Sequence, residues 1–282
     1  MRPDNDDYMS KGYVPLREQY DNSVSHALEY YIADFALSRF AEALGKKKDA
    51  EMFYKRSLGY KHYYSKEFGT FRPILPDGTF YSPFNPRQGE NFEPNPGFHE
   101  GSAWNYSFYV PHDVYGLAKL MGGKNPFIKK LQMVFDEGLY DPANEPDIAY
   151  AHLFSYFRGE EWRTQKETQR LLDKYFTTKP NGIPGNDDTG TMSAWAIFNM
   201  IGFYPDCPGL PEYTLTTPVF NKVTIRLDPK WYKEKELVIE SNRTQPGTLY
   251  INKVLLNGKK FNQYRITHNE LVHSQRILFD LK

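Results

Sequence analysis

One cysteine, Cys207, stands among 282 residues, so no disulfide can form within the chain. That fits a reducing compartment, or an exported bacterial protein that does not rely on disulfides. A single cysteine cannot build a structural zinc site, and the seven histidines form no HExxH pattern. No run of about 18 apolar residues occurs, so no transmembrane helix is expected. The opening MRPDNDDYMSKGYVP lacks an apolar core, so no signal peptide is expected in this chain. Excess charge is missing too, since Lys+Arg and Asp+Glu both number 35. Such a balance does not suit nucleic acid or an anionic membrane surface. There is no GxSxG nucleophile elbow and no glycine-rich phosphate loop.

Aromatic residues, by contrast, are plentiful, with 22 Tyr and 20 Phe. Flat rings stack on the C–H faces of pyranoses, and they equally fill protein cores. The length suits one large domain, or one domain with a small appendage, and is enough for a sizeable core. Residues 23–45 show helical spacing in Leu28, Tyr31, Ile32, Phe35, Phe40 and Leu44. Ser23 or Ser25 can act as N-cap and Gly45 as the stop. A second helix runs from Asp49 through Met52, Phe53, Tyr60 and Tyr64, giving a helical hairpin. Residues 69–98 are punctuated by Gly and Pro, with a tight turn at Asp77-Gly78. The aromatics inside this stretch point to an ordered loop lining a site.

Helical character returns at 101–121, 125–137, 146–157, 160–176 and 189–202. Successive helical hairpins suggest an α/α toroid, with fewer helices than six hairpins require. From about residue 211 the period becomes two. Strands are expected around Tyr213 and Leu215, at Val223–Leu227, at Leu237–Ile239, at Leu249–Ile251 and Val254–Leu256, and at Ile277–Phe279. Asn257-Gly258 signals a hairpin.

Three segments carry the candidate chemistry. In Phe98-His99-Glu100-Gly101-Ser102-Ala103-Trp104-Asn105-Tyr106, Glu100 stands where a loop enters a helix. Trp104 would lie one turn on, and an acid poorly solvated beside Trp suits general-acid work. An acid favoured by the helix dipole is the plainer account. In Pro142-Ala143-Asn144-Glu145-Pro146-Asp147, Asn144 and Glu145 offer hard oxygen ligands of the kind Ca²⁺ prefers. Pro146 suits the first position of a helix, and Asn144 could equally be its cap. In Gly185-Asn186-Asp187-Asp188-Thr189-Gly190-Thr191-Met192-Ser193-Ala194-Trp195, two adjacent carboxylates precede a helix. They repel unless a cation, a proton or oriented donors relieve them. A base that activates water, with a second acid that orients it, would use such a pair. Simple capping is the alternative.

Taken in order, these segments resemble glycoside hydrolase family 92, the calcium-dependent α-mannosidases. The likeness runs from Gly12-Tyr13-Val14-Pro15 and Ser23-Val24-Ser25 through Leu28-Glu29-Tyr30, Gly101–Tyr106, Val110-Pro111-His112-Asp113-Val114 and Asn144-Glu145-Pro146. It continues in Gly185–Trp195, Gly202-Phe203-Tyr204-Pro205, Cys207-Pro208-Gly209, Thr217-Pro218-Val219-Phe220 and Leu256-Asn257-Gly258. The resemblance implies an inverting hydrolase with an N-terminal β-sandwich and an (α/α)6 catalytic domain. This chain is then expected to be mainly α with a β tail. Residues 1–208 would be the C-terminal part of the (α/α)6 toroid, and 209–282 a small antiparallel β-sheet segment. The resemblance implies that the sandwich and the early helices are absent from it.

By matching position, Glu100 is expected as the general acid, with Asp187 and Asp188 as the base and its helper in either order. Asn144 and Glu145 match the Ca²⁺ region, while Trp104 and Asn186 are expected to touch the sugar. The expected substrate is a mannose-containing glycan, α-1,2-linked in the first instance, with breakdown of N-glycans as the setting. No nucleic-acid or membrane partner is expected. The parent protein would be periplasmic or extracellular. Leu139-Tyr140-Asp141-Pro142-Ala143 is shorter than the matching stretch in many relatives, which often ends in His-Gly, and this bears on linkage preference. The competing expectation is a truncated, inactive or carbohydrate-binding piece of such an enzyme.

Overall fold

The computed structural model describes residues 4–18, 22–89, 95–245 and 247–282. Residues 1–3 of the opening segment and 90–94 of the long loop lie outside the described residues. The chain divides into two compact units, residues 1–150 with 207–210, and residues 151–206 with 211–282.

The first unit begins with α1 (Asn5–Lys11), closed by Gly12 in the left-handed conformation. Next come α2 (Ser23–Ala43) and α3 (Lys47–Ser57), the helical hairpin expected from the sequence. Val24, Ala27, Leu28, Tyr31, Ile32 and Phe35 bury one face of α2. Phe40 and Leu44 do not continue that face, being 63% and 58% exposed. The buried face continues instead through Ser38 and Ala41, leaving Phe40 off it and Leu44 beyond the helix end. α3 does not reach Tyr64 as an α-helix, because Leu58–Tyr63 tightens into 3₁₀ geometry. A Cβ on Gly59 would fall 2.5 Å from Tyr31 Cε1 and 2.7 Å from the Gly12 carbonyl oxygen. The chain can pass here only as glycine.

The core of this unit is aromatic, and its hydroxyls are satisfied. Tyr63 donates to the Val14 carbonyl at 2.7 Å, Tyr31 to the Gly12 carbonyl at 2.6 Å and Tyr60 to Asp113 at 2.8 Å. Tyr8 donates to buried Asp34 at 2.5 Å, and Arg56 pairs with the same carboxylate. Most rings therefore have the ordinary role of filling the interior.

The long loop is ordered where described. β1 (Tyr64–Ser65) pairs with β2 (Thr70–Phe71), and a bridge joins Ile74 to Phe80 around the Asp77-Gly78 turn. Arg72 holds the loop from within. Its guanidinium lies over the rings of Phe68, Phe80 and Phe84, and its Nε donates to the Tyr81 carbonyl at 2.7 Å. The helix expected over 101–121 is two short ones, α4 (Ala103–Tyr106) and α5 (Val114–Leu120), with tight turns between. α6 (Lys124–Asp136) follows as expected. The stretch 146–157 resolves into two 3₁₀ segments, Glu145–Asp147 and Tyr150–Tyr156.

In the second unit, α7 (Glu161–Tyr175) and α8 (Thr191–Ile201) precede β3 (Phe203–Tyr204) and β4 (Glu212–Leu215). Then come β5 (Lys222–Arg226), β6 (Glu236–Arg243), β7 (Ile251–Leu256), β8 (Lys259–Phe261), β9 (Arg265–Thr267), α9 (His268–Val272) and β10 (Arg276–Leu281). The β tail is two sheets, not one. The larger has the order β5-β6-β10-β7-β8 and the smaller β3-β4-β9. It is not wholly antiparallel either, since β10 runs parallel to β6. β10 returns from α9 and inserts between β6 and β7, which fixes its direction. Leu237, Ile239, Val254, Ile277 and Phe279 alternate inward and share one core with Leu215 and Ile266 of the smaller sheet. Asn257 and Gly258 both have positive φ, as the expected two-residue hairpin requires. Among the described residues no helix is long and apolar enough to cross a membrane.

Candidate active site

In the first unit the candidate acid sits on strained backbone. Glu100 has φ 56°, in the left-handed region that a glutamate adopts only when its surroundings enforce it. The next helix starts later than the sequence suggested. Ser102 caps α4 by accepting from Trp104 N at 3.2 Å, so Glu100 lies outside the helix and has no one-turn relation to Trp104. The expected desolvation by Trp104 is therefore not found. Trp104 is 8% exposed, whereas the Glu100 side chain is 55% exposed and meets His99 Nε2 at 3.3 Å. So exposed a pair adds little stability.

Asn144 does not cap the turn that follows it. Its side-chain amide donates instead to the Glu100 carbonyl oxygen. The candidate acid and the candidate metal-binding segment therefore adjoin each other. Pro146 opens the 3₁₀ turn as expected, and Glu145 beside it is half-buried. Behind them lies Asp147, fully buried, whose Oδ2 accepts from Asn105 at 2.8 Å and from Asp141 N at 2.7 Å. Burial pushes its carboxyl well above the usual range.

The same unit contains an acidic residue that sequence reasoning passed over, Glu29. Tyr109 donates to Glu29 at 2.8 Å. Water reaches Glu29, yet surrounding protein replaces part of its hydration shell and raises its pKa, against the opposing effect of the Tyr109 bond. Burial first, then the charge of Glu29, raises the Tyr109 hydroxyl, and Glu145 acts in the same sense. Burial also raises Tyr106, to which Glu29 and Glu100 contribute. Glu29, Glu100 and Glu145 thus bear on one pair of tyrosines. The only sequence signal for this was Leu28-Glu29-Tyr30 standing in the family-like order.

In the second unit the adjacent acids stand in two different environments. Asp187 has φ 52° and Thr189 φ 52°, so this turn is strained as well. Both Asp187 oxygens are engaged, accepting from Ser193 N at 2.8 Å and Ser193 Oγ at 2.6 Å. The hydroxyl bond first, and the amide bond second, hold its carboxyl below the usual range. Asp188 is exposed, with no side-chain hydrogen bond among the described residues, and so is Asn186. Ser193 thus relieves the expected repulsion from one side. The sequence reading quoted Ser193 within this segment without singling it out. Stacked aromatics support α8 beneath the turn. Trp195 stacks on Phe176 at 5.4 Å, and His152 on Tyr204 at 4.4 Å.

Of four non-glycine residues with positive φ among the described residues, three lie in these two segments. Strain of that kind, about 1–2 kcal/mol per residue, collects at functional sites. Asn144 and Glu145 fit Ca²⁺ in kind, as uncharged and anionic oxygen donors. In number they fall short of the six to eight oxygens it takes, and no cluster of three His, Cys, Asp or Glu able to hold a metal occurs among the described residues.

Acid–base glycoside chemistry uses a pair of carboxyl groups. A model of the glycosyl hydrolase family 92 catalytic domain matches residues 1–282, and the chain belongs to that family. An α-mannosidase of family 92 from Bacteroides thetaiotaomicron, solved with mannoimidazole, is similar to it. That structure matches with a TM-score of 0.90 and 30% identity over 98% of this chain and 38% of its own. An inverting mannosidase of the same family and organism matches with a TM-score of 0.88 and 30% identity over 100% of this chain and 40% of its own. An uncharacterised secreted glycosidase from Arthroderma benhamiae is 26% identical over 93% of this chain and 36% of its own length. The chain thus spans well under half the length of these relatives.

Proposed function

We propose that the natural protein carrying this chain is an exo-acting α-mannosidase, releasing mannose from mannose-rich glycans, α-1,2-linked in the first instance, by Ca²⁺-assisted inversion. The observation that carries this reading is the family match along the whole of residues 1–282. In it Glu100 protonates the leaving oxygen and a carboxylate of the 187–188 pair activates water. Asp188 is the base, because both oxygens of Asp187 are engaged by Ser193 while Asp188 stays open to solvent. Asp187 orients the turn. Trp104 and Asn186 contact the sugar.

Asn144 and Glu145 would hold the ion, with water, substrate hydroxyls or other parts of the protein completing its shell. When bound, Ca²⁺ would favour a flattened, oxocarbenium-like ring at the terminal mannose. The helices within residues 1–208 form the C-terminal part of an (α/α)6 toroid in this reading, with 209–282 as the β-rich segment that follows. The protein works outside the cytoplasm, on N-glycan-type substrates.

Chelation tests the reading. The full-length protein should lose mannosidase activity in excess EDTA and regain it when Ca²⁺ is restored. Undiminished turnover of mannosides in EDTA would contradict it.

A further inference from the structure

Asn105 and Asp147 have no place in the proposed chemistry, yet together they join the two segments that do. Every hydrogen-bonding site of the Asn105 amide is used. Its Oδ1 accepts from Ser102 N at 2.8 Å and from Ser102 Oγ at 2.9 Å. Its Nδ2 donates to the Leu139 carbonyl at 3.1 Å and to Asp147 Oδ2 at 2.8 Å. The same Asp147 oxygen accepts from Asp141 N at 2.7 Å. Asn105 and Asp147 are both buried.

One buried amide therefore ties the turn that carries Glu100 to the loop that leads into Asn144 and Glu145. On the outer side the Asn144 amide makes the reverse connection, to the Glu100 carbonyl. The fit around this point is close. A Cβ on Gly101 would meet Asn105 Oδ1 at 2.9 Å, so the residue after Glu100 must be glycine for Asn105 to sit where it does.

We propose that Asn105 and Asp147 form an internal latch, two positioning residues that set where Glu100 stands relative to Asn144 and Glu145. The proposal rests on the reading of Glu100 as the general acid. Proton transfer demands placement within hydrogen-bond reach, and displacement of about 1 Å can cost about 100-fold in rate. A latch acting through the acid has a signature that loss of folded protein does not. It skews activity between substrates, since only poor leaving groups need the proton.

The test uses full-length protein and two mannosides, a disaccharide and an activated aryl mannoside, and reads the ratio of their kcat/KM values. That ratio is independent of the fraction folded. Asp147→Val removes the shared acceptor and should lower the disaccharide:aryl ratio about 10-fold or more. Asp147→Asn keeps an accepting oxygen and should leave the ratio near the wild-type value. Asn105→Ser keeps a polar group that cannot span to Asp147. It should skew the ratio as Asp147→Val does, and it serves if that variant does not fold. Glu100→Gln is measured alongside. If Glu100→Gln skews the ratio and neither latch variant does, the latch is overturned and the acid stands. If Glu100→Gln itself leaves the ratio unchanged, the acid assignment fails and the latch fails with it.

Discussion

Glu100 shows what a residue's conformation can say about its use. A glutamate at φ 56° beside a glycine gains nothing locally from that backbone, and its side chain is left largely in solvent. A role as proton donor gives the geometry a purpose. Glu100→Gln should therefore lower turnover by roughly 10²–10⁴-fold for mannosides with poor leaving groups, measured as kcat/KM, and far less for activated aryl mannosides. Equal losses would remove Glu100 from the acid role. His112 gives a second prediction. Burial pushes its pKa down to about 4, from an ordinary 6.5. Its Nε2 donates to the Ser57 carbonyl at 3.0 Å, and its ring lies against Phe35 and Tyr60. Between those two values the unfolded chain holds the proton and the folded chain does not. His112 therefore contributes stability that is fully present above pH 6.5 and is lost as pH drops toward 4, by about 1.4 kcal/mol per pH unit at the steepest, while buried Asp147 acts in the opposite sense. The difference in urea midpoint between wild type and His112→Gln, measured from pH 4 to 7, should carry that slope, and a difference independent of pH would contradict it. At this scale the sequence revealed residue types and left partners hidden. Asn144 could be a cap or a ligand by its letter alone. Only the fold shows its amide turned to Glu100 and Asp187 committed to Ser193.

Elements were legible where a pattern was long. The helices Ser23–Ala43, Lys124–Asp136 and Glu161–Tyr175 stand close to where periodicity placed them. Strands of four to eight residues also showed through their alternation, whereas 3₁₀ turns and the shortest elements did not. A 3₁₀ turn such as Glu145–Asp147 is too short to tell a period of 3.0 from 3.6. β3, β8 and β9 have two or three residues each, below what alternation can mark. Tertiary contact decides the remaining boundary, that of α3. Gly59 passes between Tyr31 and the Gly12 carbonyl with no room for a methyl group. Gly59→Ala should destabilise the protein by about 1–3 kcal/mol, the usual cost of overpacking a close contact. The denaturant midpoint would check this, and an unchanged midpoint would mean that the packing there is loose.

At the scale of the whole molecule, an aromatic core with satisfied hydroxyls supports strained loops in one unit, and stacked rings beneath α8 do so in the other. Rigid supports are what allow strained functional turns to persist. Family membership was legible because its motifs recur in order along the chain, from Gly12-Tyr13-Val14-Pro15 to Leu256-Asn257-Gly258. The mixed sheet was not, since parallel pairing of β10 with β6 depends on a crossover that no local pattern encodes. Inversion is tested most directly by the stereochemistry of the product. Proton NMR of an α-mannoside digest by the full-length protein should show β-mannose as the first sugar released, with α-mannose appearing only by mutarotation. Release of α-mannose first would contradict it.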